Sequence, residues 1–262
     1  MKAVRLNEYG GYDVLKIEDV PEPTPRSHHV LIKVDSAGVN YADVLRRGGN
    51  YPGPELPSSM GLEAAGTVME VGLDVTGISV GQKVMGMGPG SQAEYVAING
   101  NLVFPYPDSL DPVEAGGMPI VFLTSYHILK SRGQMQAGDT VLIQAGASGV
   151  GTVLIQLAKA WGAKVIATAS TQDKLDLCMS LGVDVTINYT EADFEAVIID
   201  ETGGEVVQLV AECVGGAVLE KSVRCLAAYV RLVRYGNASQ TQANLPSSDI
   251  TPNNRTVIGF SM

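Results

Sequence analysis

Hydrophobic positions along this chain follow two rhythms. Up to about residue 120 they come in short runs: "MKAVRL", "HVLIKVDSAGV", "EAAGTVMEVG", "GQKVMGM" and "SQAEYVAI" alternate or run apolar, with Gly- and Pro-rich turns between them. That texture predicts a barrel-like all-β unit. From about Pro112 the rhythm changes. "DPVEAGGMPIVFLTSYHILKSRG" has helical spacing and opens on Asp-Pro, an N-cap followed by Pro at the first helical position. Beyond it, apolar strands ("TVLIQAG", "KVIATAS", "VDVTINY", "VVQLVAECVG", "YVRLVRYG", "RTVIGFSM") alternate with amphipathic helices. Near-continuous apolar strands of this kind predict a parallel sheet covered on both faces. Six of them make a full dinucleotide-binding sheet. The expected organisation is a β-rich unit over 1–120 and an α/β, doubly wound unit over 121–262.

Composition narrows the picture only a little. The 262 residues are 45% apolar and 18% charged, enough for a sizeable core. A net charge of -10 argues against a protein that coats nucleic acid. Cys178, Cys213 and Cys225 are odd in number and widely spaced, with neither a disulfide framework nor a CxxC metal motif. The N-terminus lacks a basic-then-apolar leader pattern, and no apolar run approaches the roughly 18 residues of a membrane span. These features lead to the expectation of a cytoplasmic protein with reduced thiols and no membrane partner.

The chemistry enters at "AGASGVG", between the first apolar strand and the helix "TVLIQLAKAWG". Gly146, Ser148, Gly149, Val150 and Gly151 form a strand–turn–helix junction. There a backbone without bulky side chains can approach a pyrophosphate and aim helix-start amides at it. The alternative is that small residues merely let the helix pack on the strand. The end of the second strand reads "ATASTQDKL", with Ser170 and Lys174 where an acidic residue would select a ribose hydroxyl. A hydroxyl and an ammonium suit a 2′-phosphate, so NADPH is expected over NADH. Tyr189, closing the third strand, is placed to add a hydroxyl or stack by the adenine. Asp173 fits a favourable helix-dipole position without a ligand role.

The blocks "VNYADVLRRGGNYP", "GLEAAGTVMEVG", "AEYVAI", "LTSYHIL", "AGASGVGTVLIQLAKAWGAKVIATAS" and "LGVDVTINY" resemble the zinc-free, zeta-crystallin-like quinone oxidoreductase branch of the medium-chain dehydrogenase/reductase superfamily, over essentially the whole chain. The resemblance implies a GroES-like catalytic domain followed by a Rossmann domain. Where zinc-dependent relatives carry Cys and His ligands this chain reads Asn40 and Leu62, and the four clustered cysteines of their structural zinc are missing, so no metal is expected. His28 and His29 read as solvated turn residues, and His127 as a packed or surface residue. The implied chemistry is hydride delivery from NADPH to an electron-poor acceptor, a quinone or an α,β-unsaturated carbonyl. Asn40 and Tyr51 match polar positions on the substrate side of the nicotinamide; alternatively Asn40 fixes its own loop and Tyr51 packs beside Pro52. Thr124 matches a nicotinamide-side contact, and Gly236 and Asn237 would face the nicotinamide end. Arg46 and Arg47 read as surface charges.

Relatives continue for several dozen residues past the position matching Met262, so the resemblance casts this chain as a C-terminally shortened form with part of its β-rich core uncovered. It also implies a homodimer paired through Thr256–Phe260. Val230 stands where relatives usually have Gly, and Arg234 is expected to face the crevice or a carboxylate, because an unpaired buried charge is costly. Two rivals to quinone or enone reduction stay open: an enoyl-thioester reductase, and a non-catalytic NADPH-binding short form.

Overall fold

The computed structural model describes residues 1–204 and 206–262, and it divides into two compact units, Met1–Ile120 and Val121–Met262.

The first unit is built on two antiparallel sheets. β1 (Lys2–Leu6), β2 (Leu15–Asp19) and β4 (Ser58–Ser59) form the smaller, in the order β2-β1-β4. The larger holds β3 (His29–Ala37), β5 (Glu63–Val71), β6 (Lys83–Met87), β7 (Tyr95–Asn99) and β8 (Val103–Pro105), ordered β7-β3-β5-β6-β8. Alternation does what it predicts. Val30 and Ile32 on β3, Val96 and Ile98 on β7, and Val68 and Val84 point to one side and close the core of this sheet. Between β3 and β4 the chain forms a short helix, α1 (Tyr41–Arg47), and after β8 another, α2 (Pro112–Gly116).

At α2 the sequence expectation is half right. Asp111 is the N-cap, its Oδ1 accepting the Val113 amide at 2.7 Å, and Pro112 is the first helical residue. The single long helix expected onward to Gly133 is instead broken. α2 ends at Gly116, and α3 (Pro119–Tyr126) starts afresh on a proline. Pro119 has no amide to donate, and it pushes Met118 away from helical angles. A π-helical stretch, His127–Arg132, follows α3 directly.

In the second unit six strands run parallel: β9 (Thr140–Ile143), β10 (Lys164–Ala169), β11 (Val185–Asn188), β12 (Val207–Glu212), β13 (Leu226–Arg234) and β14 (Thr256–Gly259). Their order is β11-β10-β9-β12-β13-β14. The chain starts in the middle, winds outward to β11, then returns to the other side of β9. The crevice where ligands bind in such sheets therefore opens at the C-terminal ends of β9 and β12. Both faces are covered. Val141 and Ile143 join α4 (Gly149–Ala160) in one core, whereas Leu142 joins Phe194, Ile198, Leu219 and Val223 of α6 (Phe194–Glu201) and α7 (Gly216–Arg224) in the other. α5 (Gln172–Ser180) links β10 to β11, and α8 (Ser247–Ile250) precedes β14.

β13 is less regular than its apolar pattern predicts. Pairing with β12 shifts between Val207 and Leu209, and the exposed Tyr229 lies at φ +62°. Among the described residues no helix is long and apolar enough to cross a membrane.

Candidate functional site

The turn after β9 separates its glycines into two kinds. A side chain at Gly151 would run into the backbone oxygens of Ala145 and Gly146, the latter 2.6 Å away. One at Gly146 would meet Ala167 Cβ at 2.9 Å and Cys178 Sγ at 3.0 Å. Both are needed for close helix–strand packing. Gly149 is different: an added Cβ would touch only Val121 Cγ1, at 3.4 Å. The turn is held by Ala145 at φ +54° and by Ser148, the N-cap of α4, whose Oγ accepts the Gly151 amide at 3.1 Å. The Gly149 and Val150 amides find no acceptor among the described residues. They are free donors at the N-terminus of a twelve-residue helix. Ser125 Oγ donates to the Val150 carbonyl at 3.2 Å, which sets α3 against this turn. Its neighbour Thr124 is buried, yet its hydroxyl has no protein partner among the described residues.

The other residues expected on the nucleotide side follow the same edge of the sheet. Ser170 directly follows β10, and Lys174, exposed on the first turn of α5, places Nζ 3.5 Å from its Oγ. Tyr189 follows β11, its amide on the Ala169 carbonyl at 3.2 Å and its ring exposed. Gly236 and Asn237 follow β13 in a turn laced to the end of β12, where the Ala238 amide reaches Cys213 O at 2.8 Å. Asn237 Oδ1 is buried with no hydrogen-bond partner among the described residues.

Beneath that edge lies a polar row of which the sequence reading singled out only Arg234. Thr168, Gln144, Glu212 and Arg234 stand level on four adjacent strands, each one residue past the paired apolar positions or in direct register. Thr168 Oγ1 donates to Gln144 Oε1 at 2.6 Å, and Gln144 Nε2 donates to Ser222 Oγ at 3.0 Å. Glu212 Oε1 accepts the Val214 and Gly215 amides at 2.6 and 2.8 Å. Burial pushes the Glu212 carboxyl above its ordinary value against those hydrogen bonds and the Arg234 charge. Arg234 thus stands beside a carboxylate, with Nε donating to Gly236 O at 3.2 Å. A charged residue inside the apolar run "VVQLVAECVG" was the available signal.

In the first unit, Asn40 precedes α1 and Tyr51 lies four residues beyond its end. Asn40 is the N-cap of α1 and closes a capping box with Asp43, its side chain accepting the Asp43 backbone amide. Its amide donates to Asp43 Oδ2 at 2.8 Å, and its side-chain Nδ2 donates to Glu63 Oε1 at 2.7 Å. Glu63 is 1% exposed, and its other oxygen accepts the Ile120 amide at 2.7 Å. Burial raises the Glu63 carboxyl, opposed by those two hydrogen bonds and reinforced by Asp43, itself raised by burial. Tyr51 is half-buried, and its hydroxyl makes no hydrogen bond among the described residues.

Two expectations need correction here. Arg46 is not a surface charge. It is buried, donates to Pro54 O and to Ser58 Oγ at 3.3 Å, and lies over the Tyr9 ring, fastening the loop that carries Tyr51. On a seven-residue helix one face must be buried, and Arg46 lies on it because its long stem lets the guanidinium reach the loop carbonyl. His29 is not fully solvated either: it opens β3, its Nδ1 is buried, and burial lowers its pKa, aided by His28 and Arg26. His127 is packed at the surface, on Ser131 Oγ at 2.9 Å and against Phe260. Among the described residues no group of three or more His, Cys, Asp or Glu could hold a metal ion, and Leu62 offers no donor.

Comparison with known proteins agrees with this anatomy. Residues 26–108 match the alcohol dehydrogenase GroES-like domain, and residues 149–262 match a family described as zinc-binding dehydrogenase. A quinone oxidoreductase of Pseudomonas aeruginosa is 33% identical over 91% of this chain and 74% of its own length. A phenolphthiocerol/phthiocerol polyketide synthase of Mycobacterium tuberculosis is 33% identical over 89% of this chain, which spans only 11% of that much longer protein. The crystal structure of Escherichia coli quinone oxidoreductase complexed with NADPH superposes with a TM-score of 0.94 at 29% identity, covering 100% of this chain and 81% of that one. The chain belongs to the zinc-free quinone oxidoreductase family of the medium-chain dehydrogenases/reductases.

Proposed function

We propose that this protein is an NADPH-dependent reductase of quinones or α,β-unsaturated carbonyls. The observation that carries the reading is the turn after β9, where the Gly149 and Val150 amides stand unpaired beside a position with room for a ligand. Those amides suit a pyrophosphate. Ser170 and Lys174 suit the extra phosphate of NADPH, a charge-assisted contact that NADH cannot make. Tyr189 is assigned to the adenine end, and Thr124, Gly236 and Asn237 to the nicotinamide end. Bound there, the reduced nicotinamide supplies a hydride. Tyr51, with its hydroxyl uncommitted, is the donor proposed for the acceptor oxygen as negative charge grows on it. The NADPH bound by the Escherichia coli relative and the name of the Pseudomonas aeruginosa one both support this reading.

A second reading, enoyl-thioester reduction, is favoured by the similarity to the polyketide synthase. NADPH oxidation measured side by side with 1,4-benzoquinone, 9,10-phenanthrenequinone and crotonyl-CoA separates the two. Turnover of the quinones is expected. Turnover of crotonyl-CoA alone would move the assignment to thioesters, and tight NADPH binding with no turnover would leave a nucleotide-binding protein.

A further inference from the structure

Arg234 is a cation at the end of a strand that is paired on both sides, to β12 and to β14. Side chains alternate across the sheet. Leu232 joins the core under α6 and α7, whereas Val233 and Tyr235 pack into the one under α4. Arg234 therefore rises on the α7 side. Among the described residues its one hydrogen bond is from Nε to Gly236 O, at 3.2 Å, and it makes no ion pair. Glu212, level with it on β12, spends Oε1 on the Val214 and Gly215 amides instead. Both terminal nitrogens of the guanidinium are left unbonded and not sealed from solvent.

They open onto a cavity of about 430 Å³ that lies wholly within the second unit. Arg234, Asn237, Thr241 and Gln242 form its polar wall, and Leu219 and Leu245 its apolar one; no residue of the turn after β9 lines it. The polar wall is fixed in place. The Ala238 and Ser239 amides donate to Cys213 O and Val214 O, each at 2.8 Å, and the Asn244 amide donates to Glu220 Oε1 at 2.6 Å. Asn237 Oδ1 lies against Gly215 and Thr241 Oγ1 against Gly216, so closely that a side chain at either glycine would collide with them. With its oxygen spent there, Asn237 keeps its NH2 as a second donor with no partner among the described residues.

We propose that this cavity is a binding site for a small organic carboxylate, whose charged end pairs with the Arg234 guanidinium and the Asn237 NH2 and whose apolar body rests on Leu219 and Leu245. A guanidinium with both terminal nitrogens open is shaped for a carboxylate, two parallel hydrogen bonds at once. The apolar wall and a volume typical of small-molecule sites call for more than an inorganic anion. A lone cation with Glu212 on the next strand suits one negative charge rather than two. The site goes beyond the reductase reading and does not depend on it; it shares only Asn237 with the proposed nicotinamide end.

Calorimetric titration of the full chain with benzoate, benzamide and inorganic phosphate tests the inference. Benzoate should bind with a dissociation constant in the millimolar range or below, and the neutral isostere benzamide and phosphate should each bind about tenfold more weakly or worse. Arg234→Met keeps the apolar stem and removes the fork, and should cost benzoate roughly ten- to a hundred-fold in affinity. Gln242→Trp alters an exposed residue and fills the space, so it should abolish benzoate binding while melting temperature and NADPH affinity stay unchanged. This second variant keeps the test decisive if Arg234→Met folds poorly. Saturating NADPH should leave benzoate binding in place. No heat with benzoate, equal affinity for benzamide or phosphate, or indifference to Gln242→Trp overturns the inference. Loss of benzoate binding in the presence of NADPH overturns it as well, because the cavity then belongs to the nucleotide. None of these readings needs turnover, so a chain that reduces no quinone can still bear the inference out.

Discussion

The turn after β9 and the cluster around Asn40 are built by opposite means. The turn is backbone: seven consecutive residues, three of them glycine, and the Gly149 and Val150 amides are the groups proposed to act. The Asn40 cluster is side chains: Asn40, Asp43, Glu63 and the Ile120 amide, gathered from β5, α1 and the start of α3. A backbone site has its geometry written in contiguous residues, so one substitution can destroy the fold and the ligand site together. A side-chain site can be rewired while the fold stays whole.

The contrast is sharpest within the turn itself, and there the largest effect is expected. Gly151→Ala drives a methyl group into two backbone oxygens that cannot retreat without breaking the turn. A loss of about 3 kcal/mol lowers the melting temperature by roughly 6–12 °C for a chain of this size, and NADPH binding should vanish with it. Gly149→Ala adds the same methyl at 3.4 Å from Val121, an ordinary contact. Its melting temperature should stay within about 2 °C while NADPH affinity drops at least tenfold. If calorimetry finds the two variants equally stable, the division of the glycines into packing and ligand kinds is wrong.

This difference also explains what was legible in the sequence. Strand–turn–helix order and apolar runs between amphipathic helices are local patterns, and they mark the doubly wound sheet. Arg46 read as a surface charge because nothing near it in sequence reveals that Pro54 and Ser58 fold back over it. Glu63 was overlooked for the same reason: its partners are 23 and 57 residues away. The break at Pro119 was legible and was overridden by helical spacing on either side of it. Long-range polar partners, in contrast, leave only one trace, a charged residue inside an apolar strand. Both Glu63 and Glu212 carry that mark.

A side-chain feature at the edge of the backbone site should show an intermediate effect. Lys174 is exposed and, among the described residues, its ammonium hydrogen-bonds Ser170 alone, so Lys174→Ala should leave melting unchanged. NADPH affinity should fall roughly ten- to a hundred-fold, the worth of one charge-assisted contact, with NADH scarcely altered. Parallel titration of the two nucleotides decides it, and an equal loss for both removes Lys174 from the 2′-phosphate.

The smallest effect should come from the buried acids. Asp43, Glu63 and Glu212 are each held above their ordinary values, chiefly by burial. A carboxyl whose folded value is raised holds its proton more tightly in the folded chain. Its contribution to stability is complete below the unfolded value and is lost as pH rises through the folded one. Asp193 runs the other way: the Lys221 hydrogen bond, 2.9 Å away, leads in holding it low. At Asp184 burial pulls upward, but the Lys159 ammonium at 2.7 Å and the Val165 amide outweigh it. Their stabilisation is present above 3.8, the ordinary value, and is lost as pH falls through their depressed values. The melting temperature should therefore rise as pH is lowered from the alkaline side toward 4.5, the ordinary glutamate value, and fall on further acidification. Glu212→Gln keeps an acceptor for the Val214 and Gly215 amides but removes the titrating group. It should flatten the neutral-to-acid slope by about 1–2 °C and leave the acid limb untouched, because that limb belongs to the two exposed ion pairs. An unchanged slope would mean that the Glu212 proton is bound no more tightly in the folded chain than in the unfolded one, and that the polar row beneath the crevice carries its charge without cost.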